Sequence, residues 1–155
     1  MLDRLGEVAV RTGLNVLPGQ QVILTAPLHA VPLVRRVTEH AYRAGASLVT
    51  TFYSDDQTTL ARYQYGAEDT FDTAAGWLAK GMVDGFRGGA ARMAITGGNP
   101  ALLAGQKPDH VSRASKAASI VNRPALEIIT NFDIHWVIVS PATPEWEQHV
   151  FPHLP

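Results

Sequence analysis

Gln21-Val22-Ile23-Leu24-Thr25-Ala26 is the stretch that decides the fold class of this chain. It is a short apolar run, which is the pattern of a strand buried on both faces of a parallel sheet. The turn residues Pro18-Gly19 precede it. A helical pattern follows it, with Pro32 in the first turn and Gly45 at the position of a C-terminal glycine. This part of the sequence therefore predicts a strand followed by a helix.

The same alternation of extended and helical patterns continues along the chain. Further strands are predicted at residues 47–53, 91–96 and 134–139. Further helices are predicted at residues 1–13, 54–65 and 73–87, and another begins at residue 108 and reaches a break or kink at Pro124. Short helical turns are predicted after Pro100 and at residues 145–150. Strands separated by helices imply crossover connections and a sheet covered on both faces. The predicted fold is an α/β, Rossmann-like three-layer sandwich with a mainly parallel sheet of about four strands, formed by residues 1–155 as a single domain.

One helix carries glycines where helices normally avoid them. Gly81 and Gly85 lie on the predicted apolar face of the helix at residues 73–87, which also holds Trp77, Leu78, Met82 and Phe86. Each glycine costs about 1 kcal/mol relative to alanine in a helix interior. Their position predicts that another backbone packs closely against this face. Trp77, like Trp136 and Trp146, is expected to be a core or interface residue.

Composition and charge exclude several classes of protein. The net charge of −1 gives the chain no overall attraction for nucleic acid. The chain has no cysteine, which excludes disulfides, thiolate metal sites and a cysteine nucleophile. Residues 1–13 do not read as a signal peptide, and no apolar run approaches the ~18 residues of a membrane span. These features predict a soluble, cytoplasmic protein with no membrane partner.

A glycine turn follows the predicted third strand. In Thr96-Gly97-Gly98-Asn99-Pro100, two glycines stand before what reads as a helix N-terminus, where free N–H groups and the helix dipole favour an anion. The turn matches neither a dinucleotide-binding nor a P-loop pattern. The alternative is an ordinary strand-to-helix turn, with Asn99 as the N-cap and Pro100 as the first helical residue.

Ser54-Asp55-Asp56 follows the predicted second strand, at the end where doubly wound sheets bind their ligands. Paired aspartates there could bind Mg²⁺, and N-capping explains them equally well. Because the carboxyl ends of parallel strands share one edge of the sheet, Ser54, Asp55, Gly97, Gly98 and Asn99 are the candidate ligand crevice.

Histidines and carboxylates give no complete metal site. Asp133 and His135 share a strand face, and Glu145 and His149 are one helical turn apart, while Pro152 separates His149 from His153. A catalytic zinc site normally takes three protein ligands and a water. The nucleophile-elbow motif is also absent. The sequence therefore assigns no catalytic residue and no metal ligand.

Several stretches resemble the thermophilic metalloaminopeptidase family (aminopeptidase T and aminopeptidase S type). They are Gly13-Leu14-Asn15, Pro18-Gly19-Gln20, Ile23-Leu24-Thr25-Ala26-Pro27, Pro32-Leu33-Val34-Arg35, Ala41-Tyr42-Arg43-Ala44-Gly45-Ala46, Gly98-Asn99-Pro100 with Leu102-Leu103 and Gly105, Arg123-Pro124, and Trp136-Val137 with Pro141 and Thr143-Pro144-Glu145-Trp146. The similarity extends over nearly the whole chain, and it is weakest between Asp55 and Arg92.

The resemblance implies a longer, two-domain enzyme that removes N-terminal residues from peptides and is typically a homodimer. It implies two divalent metal ions (zinc, cobalt or magnesium) held by Glu, His and Asp side chains of a C-terminal catalytic domain. None of those ligands falls in the matched region, so no cofactor is expected in this segment, which should be inactive alone. Residues 141–155 would begin the connection to the missing domain.

Three roles remain open for the segment. It helps to shape or cover the substrate cavity of the enzyme, or it supports dimerisation as a structural domain. Alternatively, it is a small-molecule or phosphate-binding module that uses the crevice around Ser54, Asp55 and Gly97-Gly98-Asn99.

Overall fold

The fold is built on one parallel sheet. The structure is a computed structural model that describes residues 1–141 of the chain. Its strands are Gln21–Pro27 (β1), Leu48–Ser54 (β2), Ala91–Ile95 (β3) and Trp136–Val139 (β4). They pair in the order β2-β1-β3-β4, and all three pairings are parallel. The predicted helical turn at residues 145–150 and the ligand pairs Glu145–His149 and His149–His153 lie outside the described residues.

Helices connect the strands. They are Leu2–Val8 (α1), which continues as a π-helical segment Ala9–Leu14, then Val31–Arg43 (α2), Asp56–Tyr65 (α3), Gly76–Arg87 (α4) and Pro108–Thr130 (α5), with short 3-10 segments at Leu28–Ala30 and Glu68–Asp72. Gly45 has φ +99°, as expected of a glycine that ends a helix. No helix in the described part of the chain has the length and hydropathy to cross a membrane.

The predicted fold class is confirmed, with two local corrections. Residues 100–105 form a series of turns, so the helix expected after Pro100 is absent. Pro124 lies inside α5, which continues to Thr130, so the predicted break is wrong and the alternative of a kink stays a prediction. Proline removes one helical hydrogen bond, and at this exposed position water can satisfy the carbonyl that is left without a partner.

The first face of the sheet is covered by α1, its π-helical continuation and α2. Alternate residues of the central strands point into this layer and are almost completely buried, as are the residues of α2 opposite them (Val22, Leu24, Ala26, Ala91, Met93, Ile95, Leu33, Val34, Val37 and Ala41). His40 of α2 is also buried, and its Nε2 lies 3.0 Å from the Asp3 carboxylate of α1. The larger of the two cores lies on this face.

The second face is covered by α4 and α5, which makes the molecule a three-layer sandwich. Val83 and Phe86 of α4 pack with Ala125 and Ile129 of α5 and with Ile134. The predicted apolar face of α4 is therefore partly wrong, because the residues buried on α4 are Ala79, Val83 and Phe86, whereas Trp77 is 78% exposed.

The two helical glycines of α4 differ in their surroundings. A Cβ on Gly85 would lie 2.7 Å from Ile23 Cδ1, so this residue packs against a side chain rather than a backbone. A Cβ on Gly81 would have no atom of the described residues within 4 Å. The prediction of a close backbone contact is wrong at both positions, and Gly81 borders open space.

Candidate functional site

The end of β2 holds two of the predicted site residues. Ser54 is the last residue of the strand, and Asp55 is the N-cap of α3. Asp55 Oδ2 accepts hydrogen bonds from Thr58 N (3.0 Å) and Thr58 Oγ1 (2.9 Å). These bonds hold the pKa of Asp55 below its ordinary value, so its carboxylate is charged at neutral pH. The N-cap interpretation of Asp55 accounts for these contacts.

A cavity of about 330 Å³ opens beside these residues. It is lined by Tyr53, Ser54, Asp55, Thr58, Thr59, Arg62 and Tyr63. The guanidinium group of Arg62 already donates to the backbone carbonyls of Thr70 and Thr73. The cavity therefore offers hydroxyl groups and one carboxylate, together with an arginine that is engaged by its own chain.

The glycine turn after β3 holds the other three predicted residues. Gly97 is buried and has φ +119°, a conformation that L side chains rarely adopt. Asn99 Oδ1 accepts from Ala101 N (2.9 Å), which closes a turn rather than capping a helix. Because no helix begins here, the dipole that the anion-binding hypothesis requires is missing.

The ends of β2 and β3 come close to each other, although not through all the predicted residues. Asp56 Oδ1 lies 3.8 Å from the position that a Cβ on Gly98 would occupy. Gly97, Gly98 and Asn99 do not line the cavity beside Ser54 and Asp55. A carboxylate against the glycine turn repels an anion, so the local charge disfavours phosphate as a ligand of this crevice.

The described histidines and carboxylates form pairs rather than metal sites. Within residues 1–141, no group of three or more His, Asp or Glu side chains is placed to hold a metal ion. His135 Nδ1 lies 3.0 Å from the backbone carbonyl of Asn15. Asp133 and His135 both precede β4, which begins at Trp136, so the strand face predicted for this pair is wrong. The residues that this part of the chain supplies do not fit a two-metal centre, which requires several ligands that converge on both ions.

A polar cluster that the sequence reading missed joins the 3-10 segment Glu68–Asp72 to α5. His110 Nε2 lies 3.1 Å from both carboxylate oxygens of Glu68. Arg113 Nε donates to Asp72 Oδ1 (3.0 Å), and Arg113 Nη1 donates to Glu68 Oε2 (3.2 Å). The buried Phe71, which belongs to the same 3-10 segment, stacks on the His110 ring with ring centroids 4.1 Å apart.

The ion pairs of this cluster shift the titration of its carboxylates. The hydrogen bond from His110 holds the pKa of Glu68 below its ordinary value, with help from Arg113. The hydrogen bond and charge of Arg113 do the same for the pKa of Asp72. The partners are 41 to 45 residues apart in sequence, so no short-range pattern could have revealed them. The cluster fastens the segment between α3 and α4 to α5.

An open apolar groove lies between α4 and the free side of β2. It has a volume of about 300 Å³ and is lined by Gln21, Ile23, Thr50, Phe52, Trp77, Leu78, Gly81, Met82 and Gly85. We call it the Trp77 groove. Sequence reasoning placed the α4 residues on an apolar face but did not show that this face would remain open toward β2.

Comparison with known proteins gives a consistent result. The family model described as "Thermophilic metalloprotease (M29)" matches residues 1–155. The chain is 47% identical over 154 residues to Aminopeptidase T of Thermus thermophilus, covering 99% of this chain and 38% of that protein. It is 35% identical over 153 residues to Aminopeptidase 2 of Geobacillus stearothermophilus, covering 97% of this chain and 36% of the relative.

A solved structure agrees with the sequence comparison. The fold matches that of wild-type AmpT from Thermus thermophilus with a TM-score of 0.94 and 47% identity, covering 99% of this chain and 39% of that one. The chain therefore spans well under half the length of the relatives it matches.

Proposed function

This chain belongs to the thermophilic metalloprotease (M29) family, and from that premise we propose that it is the N-terminal, non-catalytic domain of a metal-dependent aminopeptidase. The complete enzyme would remove N-terminal residues from peptides. The observation that carries the proposal is the unequal coverage: the match takes in 99% of this chain but only 38% of Aminopeptidase T. Most of such an enzyme would thus lie outside this segment.

The chemistry of the described residues supports a non-catalytic role. Peptide hydrolysis by two metal ions needs carboxylates and histidines that converge so that the ions sit ~3.5–4 Å apart. Here the buried histidines are committed to structural pairs, His40 with Asp3 and His110 with Glu68. The two divalent ions (zinc, cobalt or magnesium) would be held by a C-terminal catalytic domain, to which residues 141–155 would lead.

Within the complete enzyme, this domain would help to shape or cover the substrate cavity or support a homodimer. The enzyme would act in the cytoplasm. The large buried core on one face of the sheet supports either role, because it stabilises the fold of the domain.

The first test is enzymatic. We expect the polypeptide encoded by the native gene, read past the codon for Pro155, to hydrolyse aminoacyl p-nitroanilides and to lose that activity with a chelator. The 155-residue chain should be inactive under the same conditions. Chelator-sensitive activity of the 155-residue chain would contradict the non-catalytic role, and a stop codon after Pro155 would remove the enzyme altogether.

A deletion tests the role of the domain. Removal of residues 1–155 from the complete enzyme should lower activity or change the preference for peptide length, because the substrate cavity would lose one of its walls. Undiminished activity with the same substrate preference would show that the domain does not shape the cavity.

A second candidate function rests on the cavity beside Ser54 and Asp55. Its volume of about 330 Å³ falls at the lower end of small-molecule sites. Because Asp55 is charged, a polyhydroxylated or cationic ligand fits the cavity better than phosphate. A thermal-shift screen distinguishes this function, since a ligand at 100 times its Kd should add about 2.7 kcal/mol of stability.

A further inference from the structure

Within residues 1–141, one face of β2 lacks the helix that parallel sheets normally place there. On the first face, Val49 packs against the core beside α2. On the second face, Leu48 is 47% exposed, Thr50 is exposed and Phe52 is only half-buried. Parallel sheets are almost always covered on both faces, because their strands are apolar on both sides. This face of β2 is therefore incomplete in the described chain.

An element that covered this face of β2 would occupy the Trp77 groove. The wall opposite β2 is the side of α4 that carries Trp77, Gly81 and Met82. Trp77 is 78% exposed, and no atom of residues 1–141 lies within 4 Å of the position that a Cβ on Gly81 would occupy. Burial of large aromatic side chains supplies much of the energy of protein interfaces, so an exposed tryptophan beside an open sheet face indicates a docking surface.

The charge of the groove indicates which kind of surface can pack in it. None of the described residues that line the groove carries a charged side chain. β2 itself, Leu-Val-Thr-Thr-Phe-Tyr-Ser, contains no charge and no proline, although charged residues and prolines are what proteins use to protect exposed edge strands. The occupant is therefore an apolar, uncharged surface.

We infer that the Trp77 groove is the surface on which the second domain of the longer polypeptide packs, by seating an apolar helix face against β2 and α4. This inference rests on the proposed function. The size of the absent part supports it, since the chain covers only 36–38% of its aminopeptidase relatives. Interfaces between domains of one chain bury about 600–1,500 Å², and the groove and its rim would form part of such an area.

A second copy of this chain fits the groove less well. A two-fold axis sets the same surface against itself, so two concave grooves would face each other and remain unfilled. A copy that inserted a different surface would make a heterologous contact, which closes only as a ring or grows as a filament. A domain of the same polypeptide has neither constraint.

Cysteine labelling of the complete polypeptide tests the inference. Because residues 1–155 contain no cysteine, Thr50→Cys introduces a single thiol in the groove. The matched control is Ser119→Cys, on the exposed side of α5. Any thiol in the remainder of the protein is measured in the unsubstituted polypeptide. We expect Thr50→Cys to react at least about tenfold more slowly than Ser119→Cys in the native protein and at the same rate in denaturant.

Three outcomes would overturn the inference. Equal native labelling rates would show that the groove is open in the complete protein. Protection that disappears on dilution would assign the groove to a second copy. A native gene that ends at Pro155 would leave no second domain to occupy it. Gly81→Cys repeats the measurement from the α4 side in case Thr50→Cys perturbs β2.

The same samples keep this inference separate from the proposed function. If the unsubstituted protein hydrolyses aminoacyl p-nitroanilides and Thr50→Cys still labels freely, only the docking surface is wrong. If Thr50→Cys is protected and no peptidase activity is found, the surface stands as a domain interface and the enzymatic proposal fails.

Discussion

The two faces of the sheet differ in how completely they are covered. Under α1 and α2, the central strands present only apolar side chains, such as Leu24 and Met93, and these are fully buried. Under α4 and α5, the same strands present Ile23 and the half-buried Arg92, and the neighbouring β2 presents Thr50 to solvent. The contrast suggests that the first face serves the stability of the domain, whereas part of the second is kept for an interaction.

The sharpest way to test this contrast uses two adjacent residues of β1. Leu24→Ala should cost about 2–5 kcal/mol, because the side chain is fully buried and its removal leaves a cavity. Ile23→Ala, on the opposite face, should cost about 1 kcal/mol, because the side chain is only partly buried at the Trp77 groove. Urea unfolding of the 155-residue chain measures both. Equal losses would mean that the two faces contribute equally to stability.

Substitution of the two glycines of α4, on the second face, should change the stability by a smaller amount. Gly81→Ala should stabilise the 155-residue chain by up to about 1 kcal/mol, because alanine favours the helix and none of residues 1–141 lies near the new methyl group. Gly85→Ala should gain less or lose stability, because Ile23 must move to make room. Thermal unfolding compares the two variants.

The effect of Gly81→Ala on stability should differ between the 155-residue chain and the complete polypeptide. If another domain packs in the groove, the gain from Gly81→Ala should shrink or reverse there, since the methyl group would then meet the occupant. A gain of the same size in both contexts would count against a filled groove.

Acidification should produce the smallest effect, at the polar cluster of Glu68, Asp72, His110 and Arg113. The pKa values of Glu68 and Asp72 are lowered in the folded state, so their contribution is present above the unfolded pKa values of about 4.3 and 3.9. It is lost as the pH falls through the lower, folded values. We expect residues 66–75 to become more sensitive to an acid-active protease below about pH 4.

Arg113→Ala is the control for the acid effect. Without this side chain, Asp72 loses its hydrogen-bond donor, so the segment should be cleaved more readily at neutral pH and should lose the part of the acid response that comes from Asp72. The part that comes from Glu68 should remain, because His110 still partners that carboxylate. An unchanged acid response in Arg113→Ala would show that another group controls the segment. Lys80→Ala, which removes an exposed ion pair with Asp84 on α4, should leave the cleavage unaffected.

The sequence was sufficient for those features that depend on local patterns. The run at residues 21–26 became β1, and the helical pattern between Pro32 and Gly45 became α2. Gly45 ends that helix with a positive φ, and Asp55 caps the next one. Each of these features depends on residues that are close together in the sequence, so the sequence pattern alone is enough to predict it.

The remaining features depend on contacts between distant segments. Glycine and proline after β3 looked like a helix start, but Asn99 closes a turn instead. Trp77 is predicted to be a core or interface residue, and the core alternative is wrong, because Trp77 is 78% exposed within residues 1–141. Both faces of β2 carry strand-forming residues, so nothing in its sequence shows which face would stay open. The five candidate crevice residues remain a prediction, and the structure divides them between the end of β2 and the turn after β3.

The strand order has a consequence for how this protein is made. β1 emerges first from the ribosome and can pair with β2 soon afterwards, yet its other side must wait for β3. Proteins begin to fold from the N-terminus during synthesis, so the future centre of the sheet spends that interval as an unpaired edge. A translational pause between residues 54 and 91 would prolong this exposure and, with it, the opportunity for nascent chains to pair with one another.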